Sequence, residues 1–387
     1  MRAPQRRLLS GLGLALLIHS AAAHRAAAQA IAKPDYVTYL PREAALLVQA
    51  PPRTASSTCS ATPRHPGTGT KPRGTASTTP ASAGSTRWPS GSLPLLLDIH
   101  DVANPRRMDA VSDSNFSYWH SATFNNDGTK LLFSDEWGGG GQPKCRATDK
   151  HEWGADAIFT LVDNRMTFQS YYKMSAPQTP FENCVAHNGS LIPIPGRDVM
   201  VQAWYQGGIS VFDWTDPAHP KEIAFFDRGP VDSTKMGDAG SWSAYSYNGV
   251  IVSSEIGRGL DIFELRPSGL ISQNEIDAAK LVHLEYFNAQ DQPKIFWPAN
   301  FAVARAYLDQ VARSNGLAPD RPAATRTALA RAERLSGVQR REALLQLATQ
   351  LDGGAQGAPA EAKLRTLTAE VRDLAGQGAA AGAGADR

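Results

Sequence analysis

The stretch Asp98-Ile99-His100-Asp101-Val102-Ala103-Asn104-Pro105 shares its pattern with Asp213-Trp214-Thr215-Asp216-Pro217-Ala218-His219-Pro220: an apolar strand, an Asp, two residues, a second Asp and a closing Pro. This is turn chemistry, in which the second Asp accepts from backbone N–H groups and the Pro sets φ as the chain reverses. A unit that recurs restricts the fold to repeat architectures, and copies about 115 residues apart suit two or three repeats of ~40–45 residues. Around them, residues 93–265 carry short alternating apolar runs broken by Asn126-Asp127-Gly128, Asn248-Gly249 and Asp-Pro, as successive antiparallel hairpins do. Strands are expected at 93–99, 130–134, 157–162, 166–172, 199–204, 209–213, 222–227, 249–254 and 260–265. The fold expected is mainly β: a β-propeller over 93–267, complete or incomplete, with about four recognisable blades.

Two further runs allow a family to be named as a resemblance. Gly208-Ile209-Ser210-Val211-Phe212-Asp213-Trp214-Thr215-Asp216-Pro217 and its continuation to Asp227 resemble the LVIVD repeat of exported bacterial β-propeller proteins. Gly240-Ser241-Trp242-Ser243-Ala244-Tyr245 and Val252-Ser253-Ser254-Glu255-Ile256-Gly257-Arg258-Gly259-Leu260 resemble the blade that follows in the surface-anchored members. The resemblance covers about 93–265 and implies a propeller fold and export, with little about chemistry. It departs in the count, since the resembled propellers are nearer seven blades and an open ring leaves strand edges unpaired.

Residues 1–30 read as a secretory signal peptide: Arg2, Arg6 and Arg7 precede an apolar run at 8–18, and Ala28-Gln29-Ala30 is a small-residue cleavage site. The run is well short of the ~20 residues a spanning helix needs, so no membrane span is expected after its removal. Residues 53–92, within an N-terminal segment 31–92, are dense in Ser, Thr, Pro, Gly and Arg. Two readings stay open there: a disordered linker, or residues translated from a shifted reading frame. Past Arg266 the pattern turns helical, with a capping box at Ser272-Gln273-Asn274-Glu275 and helices expected at 276–286, 298–311, 321–351 and 360–374. Over 270–375 this is a C-terminal α-helical bundle with Leu335, Val338, Leu344, Leu345, Leu347 and Leu351 along one face, and 376–387 reads as a disordered tail.

Lys+Arg 39 against Asp+Glu 37 leaves no basic footprint for nucleic acid, which is therefore not an expected partner. Export places the three cysteines in an oxidising compartment, secreted, periplasmic or at the cell surface. Cys145 and Cys184 lie in the patterned region and are expected to pair, leaving Cys59 odd.

Propellers place sites where inner strands meet the central channel. His120, Asp135 with Glu136, His187 and Glu255 fall at strand ends, and His120, Glu136, His187 and Glu255 are the candidate ligands for a divalent metal. Each has a plainer reading as a backbone partner or turn cap. Trp137 and Trp153 flank the run Gly138–Gly141 and are candidates to stack on a ligand. That run lacks the strand, helix and Lys of a phosphate loop, and no serine sits in a G-x-S-x-G elbow.

The main functional expectation is a non-enzymatic binding module for an unknown protein, peptide or carbohydrate. The alternative is a metal-dependent oxidase or hydrolase with a His/Glu site near the channel. A third reading is a structural domain whose helices mediate assembly.

Overall fold

The computed structural model describes residues 45–49, 75–78, 94–101, 103–288, 292–352 and 358–380, the first two segments as backbone. The expected signal peptide, Cys59 and all of 53–92 except 75–78 lie outside them.

Four antiparallel sheets follow one another. The first holds β2 (Thr75–Thr78), β3 (Pro94–Asp98) and β4 (Arg106–Ala110). The second is the meander β5 (Trp119–Phe124), β6 (Lys130–Asp135), β7 (Asp156–Val162) and β8 (Arg165–Tyr172). The third repeats it as β9 (Gly189–Ile192), β10 (Val199–Ala203), β11 (Ile209–Asp213) and β12 (Lys221–Phe226). The fourth consists of β13 (Ser241–Tyr247), β14 (Val250–Glu255) and β15 (Gly259–Leu265). An N-terminal strand, β1 (Ala45–Gln49), runs antiparallel to β15 and parallel to β12, joining the third and fourth sheets into one array.

The repeated turn is the β3–β4 hairpin of the first sheet and the β11–β12 hairpin of the third, so the two copies are two sheets apart. In both, the first Asp accepts from the backbone two residues on: Asp98 from His100 at 3.0 Å, Asp213 from Thr215 at 2.9 Å. The second Asp does the same, Asp101 from Ala103 and Asp216 from Ala218, each at 3.0 Å.

The sheets stack face on face, and the apolar residues of facing strands fill the gaps. Leu96 meets Phe133 and Phe159; Leu132, Ile158 and Tyr172 meet Met200, Phe212 and Trp214; Val201 and Val211 meet Ala244, Ile251 and Phe263. Consecutive sheets packed this way are propeller-like. The first strands of the second, third and fourth sheets lie side by side. Asn188 and Ser243 form a parallel bridge, Ser121 Oγ donates to the His187 carbonyl at 3.1 Å, and the Ser246 N–H donates to Ser190 Oγ at 2.9 Å.

Five helices follow. The expected capping box opens α1 (Gln273–Ala279), which packs Ile276 and Ala279 on the third and fourth sheets. Next come α2 (Phe301–Arg313), α3 (Arg321–Arg334), α4 (Gly337–Leu351) and α5 (Ala358–Ala380), whose Leu308, Leu329, Leu344, Leu347, Leu351, Leu367 and Val371 share a core. The helix expected over 321–351 is broken in two where Leu335 and Ser336 take extended conformations, ahead of Gly337 at φ +54°. The break resets the helical face: Leu344, Leu347 and Leu351 are buried, whereas Val338 is 70% and Leu345 41% exposed. The tail expected from Gly376 is helical as far as Ala380, where alanines offset the roughly 1 kcal/mol cost of each interior glycine. Among the described residues no helix is long and apolar enough to cross a membrane.

Candidate metal centre

His120, Glu136 and His187 converge from two sheets, their ligand atoms all within 4.8 Å of one another. His120 is the second residue of β5. Glu136 follows β6, held by its N–H to the Tyr118 carbonyl at 2.8 Å. His187 leads into β9, its N–H on the Ala203 carbonyl at 3.1 Å.

His120 Nε2 is 3.5 Å from one Glu136 oxygen and His187 Nε2 is 3.4 Å from the other. Ligands bound at 2.0–2.1 Å in a tetrahedral set stand about 3.3–3.5 Å apart, so both spacings fit atoms that share an ion. The two imidazoles stack, with centroids 4.3 Å apart. Burial, and then the neighbouring His187, hold His120 below the ordinary histidine range against the pull of Glu136, which favours the neutral ring a metal needs. Burial alone would raise Glu136, but the His187 ring, the Tyr205 hydroxyl and His120 outweigh it and leave the carboxyl below its usual value.

Trp242 meets both nitrogens of His187, and Nε2 also faces Glu136 Oε1 at 3.4 Å. Nδ1 donates to the Trp242 backbone carbonyl, and the Trp242 indole Nε1–H donates to Nε2 at 2.9 Å. A carbonyl can only accept, so the proton sits on Nδ1 and the lone pair on Nε2. A hydrogen bond of this kind, to the nitrogen away from the metal, fixes the tautomer of a metal-ligating histidine. Trp242 lies on β13 and is 52% exposed.

Tyr205 donates its hydroxyl to Glu136 Oε1, and burial together with that carboxylate pushes the phenol well above its ordinary value. Its backbone has φ +51°, an uncommon conformation for a bulky residue, secured by a two-way bridge to Ser241. The Gly138–Gly141 loop closes over the ring: Gly140 has φ +79°, and a Cβ there would stand 2.2 Å from the Tyr205 hydroxyl.

The other candidates are placed elsewhere. Asp135 accepts from the N–H groups of Ser117, Tyr118 and Gly154, and burial raises it to about 7 despite those bonds. Glu255 accepts from the Gly240 N–H at 2.9 Å and pairs with Arg258, so it anchors the entry to β13 and does not join the three ligands. Trp137 and Trp153 lie 5.1 Å apart with the Lys144 ammonium 4.6 and 4.9 Å from their rings; this surface already holds a cation of its own. Cys145 and Cys184 form the expected disulfide, with Cα atoms 5.6 Å apart. It ties the loop after Glu136 to the segment that delivers His187.

Tyr205 and Trp242 were not candidates in the sequence. A signal for Trp242 was present: Trp242-Ser243-Ala244 aligns with His120-Ser121-Ala122, so the tryptophan occupies in the fourth sheet the place His120 takes in the second.

No family model matches the chain, and no curated protein matches it. Among solved structures it is similar to a protein from Lactobacillus plantarum, at 14% identity over 47% of this chain and 52% of that one, TM-score 0.32. It is also similar to a gluconolactonase from Xanthomonas campestris, at 12% over 45% of each chain, TM-score 0.26. A third likeness is to a candidate 6-phosphogluconolactonase from Bacteroides uniformis, at 11% over 50% and 53%, TM-score 0.28. The chain thus spans about half the length of the structures it matches, and likenesses this loose carry no argument about activity.

The expected non-enzymatic binding module is corrected at this point. The finding against it is in the chain's own side chains: the loop tryptophans hold Lys144 against their rings, whereas two histidines and a carboxylate from separate sheets meet at metal-ligand spacing.

Proposed function

We propose that this chain is a metal-dependent hydrolase whose divalent ion is held in the propeller channel by His120, Glu136 and His187. The observation that carries it is the spacing of the three ligand atoms, two imidazole nitrogens at 3.5 and 3.4 Å from the oxygens of one carboxylate. Two histidines and a Glu make up a known catalytic zinc set, with the remaining position open to water. A bound ion there would lower the pKa of that water toward neutrality. The residues supply the rest. Trp242 fixes the His187 tautomer, and Tyr205 orients Glu136 and offers a phenol that stays protonated. Export to the periplasm, cell surface or medium belongs to the same proposal, supported by the Cys145–Cys184 disulfide.

The test is elemental analysis of the mature protein purified without chelator or affinity metal, followed by assay on ester and lactone substrates. Near one zinc per chain, with metal and turnover both lost in His187→Ala, is the result expected. Iron or copper with oxygen consumption would replace the hydrolase by an oxidase at the same ligands. Folded protein that takes up no metal would overturn the site.

A further inference from the structure

The strands that carry the metal centre at their beginnings end in a cavity of about 610 Å³. From His120 to Phe124 is four residues along β5, roughly 13 Å at 3.3 Å per residue, so the two sites lie at opposite ends of the inner strands. Phe124, Leu191 and Ser246, from β5, β9 and β13, line the cavity, and Leu281, Phe287 and Ile295 close it from the segment after α1.

That segment is fastened by side-chain amides. Asn126 accepts from the Ile295 N–H at 2.7 Å and donates to its carbonyl at 3.1 Å. Asn248 treats Leu284 identically, at 2.8 and 3.0 Å. Gln292 accepts from the Phe124 N–H at 2.9 Å and donates to the Ala122 carbonyl at 3.3 Å. The two asparagines sit in the first hairpin turns of the second and fourth sheets, so the turn residues read in the sequence also hold the cavity's far wall. The wall is therefore fastened to the sheets at Leu284, Gln292 and Ile295.

We propose that this cavity binds an uncharged, mainly apolar small molecule bearing a ring. Its volume is within the range of about 300–1,000 Å³ usual for ligand sites. The Asn126, Asn248 and Gln292 amides are engaged by backbone, and Ser190 Oγ by the Ser246 N–H, which leaves few polar groups to solvate a charge. The charged lining residues, Asp127, His283 and Lys294, are all exposed at the rim. Phe287, which lines the cavity, packs against Tyr245 and Tyr247 behind it at 5.6 and 6.3 Å, so one lining ring is held in orientation for stacking.

This inference does not rest on the metal reading. The full chain is titrated with N-phenyl-1-naphthylamine, a neutral two-ring probe that brightens in apolar surroundings, and with 8-anilinonaphthalene-1-sulfonate, its charged relative. Saturable one-to-one binding of the neutral probe is expected, at least tenfold tighter than the sulfonate. Ser246→Trp and, from the opposite wall, Val282→Trp fill the space and should each weaken it tenfold or more, with unchanged far-UV circular dichroism and metal content. Failure of the neutral probe to saturate, equal binding of the two probes, or wild-type affinity in a folded filled variant overturns the proposal. Metal content moves with none of these outcomes.

Discussion

His187 shows how much a single residue's surroundings decide. Its Nε2 lone pair is the one a metal needs, and the Trp242 indole N–H donates to it at 2.9 Å. Trp242→Phe keeps the backbone carbonyl that fixes the tautomer and removes the competing donor. A hydrogen bond of about 1 kcal/mol converts to some fivefold, so zinc affinity should rise by that factor. Isothermal titration of both proteins measures it, and equal or weaker binding in the variant would show that the indole does not compete. At this scale His120, Glu136 and His187 were legible, because histidine and carboxylate at strand ends are unusual enough to single out. Glu255 looked equivalent, but only the placement of the Gly240 N–H and Arg258 assigns it to an anchor.

Among the elements, the joint between sheet and helix is electrostatic. Arg197, buried beside β10, donates to Asp213 at the end of β11, to the Leu270 carbonyl, and to Glu275 in α1; Arg313 of α2 reaches the same Glu275. Replacing Arg197 by Met leaves Asp213 and Glu275 short of a partner. The usual cost of about 3–5 kcal/mol should be felt at its lower end, since Arg313 remains and Asp213 is partly solvated. Urea denaturation of Arg197→Met, with a midpoint that does not move, would rule out this role. The strands separated by legibility. Most middle and outer strands of the last three sheets were read from alternating aliphatic residues, whereas β1, β2, β4, β5, β9 and β13 were not among the strands expected. The last three of these strands lie side by side, where close approach favours Ser, Ala and Gly over Val and Ile. At Gly189 in β9, a Cβ would come 2.2 Å from the Val201 carbonyl oxygen. These strands hold His120 in β5, follow His187 at β9 and end at the cavity.

For the molecule as a whole, two constraints set stability. The disulfide closes a loop across 39 residues, which in the chain-entropy account stabilises the fold by about 4 kcal/mol. Cys145→Ser with Cys184→Ser should lower the urea midpoint accordingly and weaken metal binding, because the bridge aligns the Glu136 loop with the His187 segment. Unchanged metal affinity in the folded double variant would confine the bridge to stability. The second constraint is acid–base. Burial lifts Asp135 from 3.8 and Glu370 from 4.5, both to about 7. A folded carboxyl that holds its proton longer than the unfolded one contributes stability that is complete below the unfolded value and lost as pH rises through the folded one. Stability should therefore decline between about pH 4 and 7, and Glu370→Gln should flatten part of that decline. Denaturation curves at pH 5 and 7.5 decide it, and an equal decline in both proteins would exclude Glu370 as a contributor.

The sequence by itself determined what depends on neighbours along the chain. Asp98, Asp101, Asp213 and Asp216 bond backbone two residues ahead, Ser272 and Glu275 close a capping box over one turn, and aliphatic alternation marks strands at least half buried. Such interactions need only φ, ψ and side-chain reach, and they recur wherever the pattern does. Tertiary structure alone decided the rest. It brings His120 to His187 across two sheets, places Tyr205 against Glu136 under Gly140, and sets 281–284 and 292–296 across the ends of the inner strands. Each of these depends on how far one sheet is rotated against the next. That rotation is set by side-chain volumes throughout the intervening cores, a quantity no local pattern in the chain records.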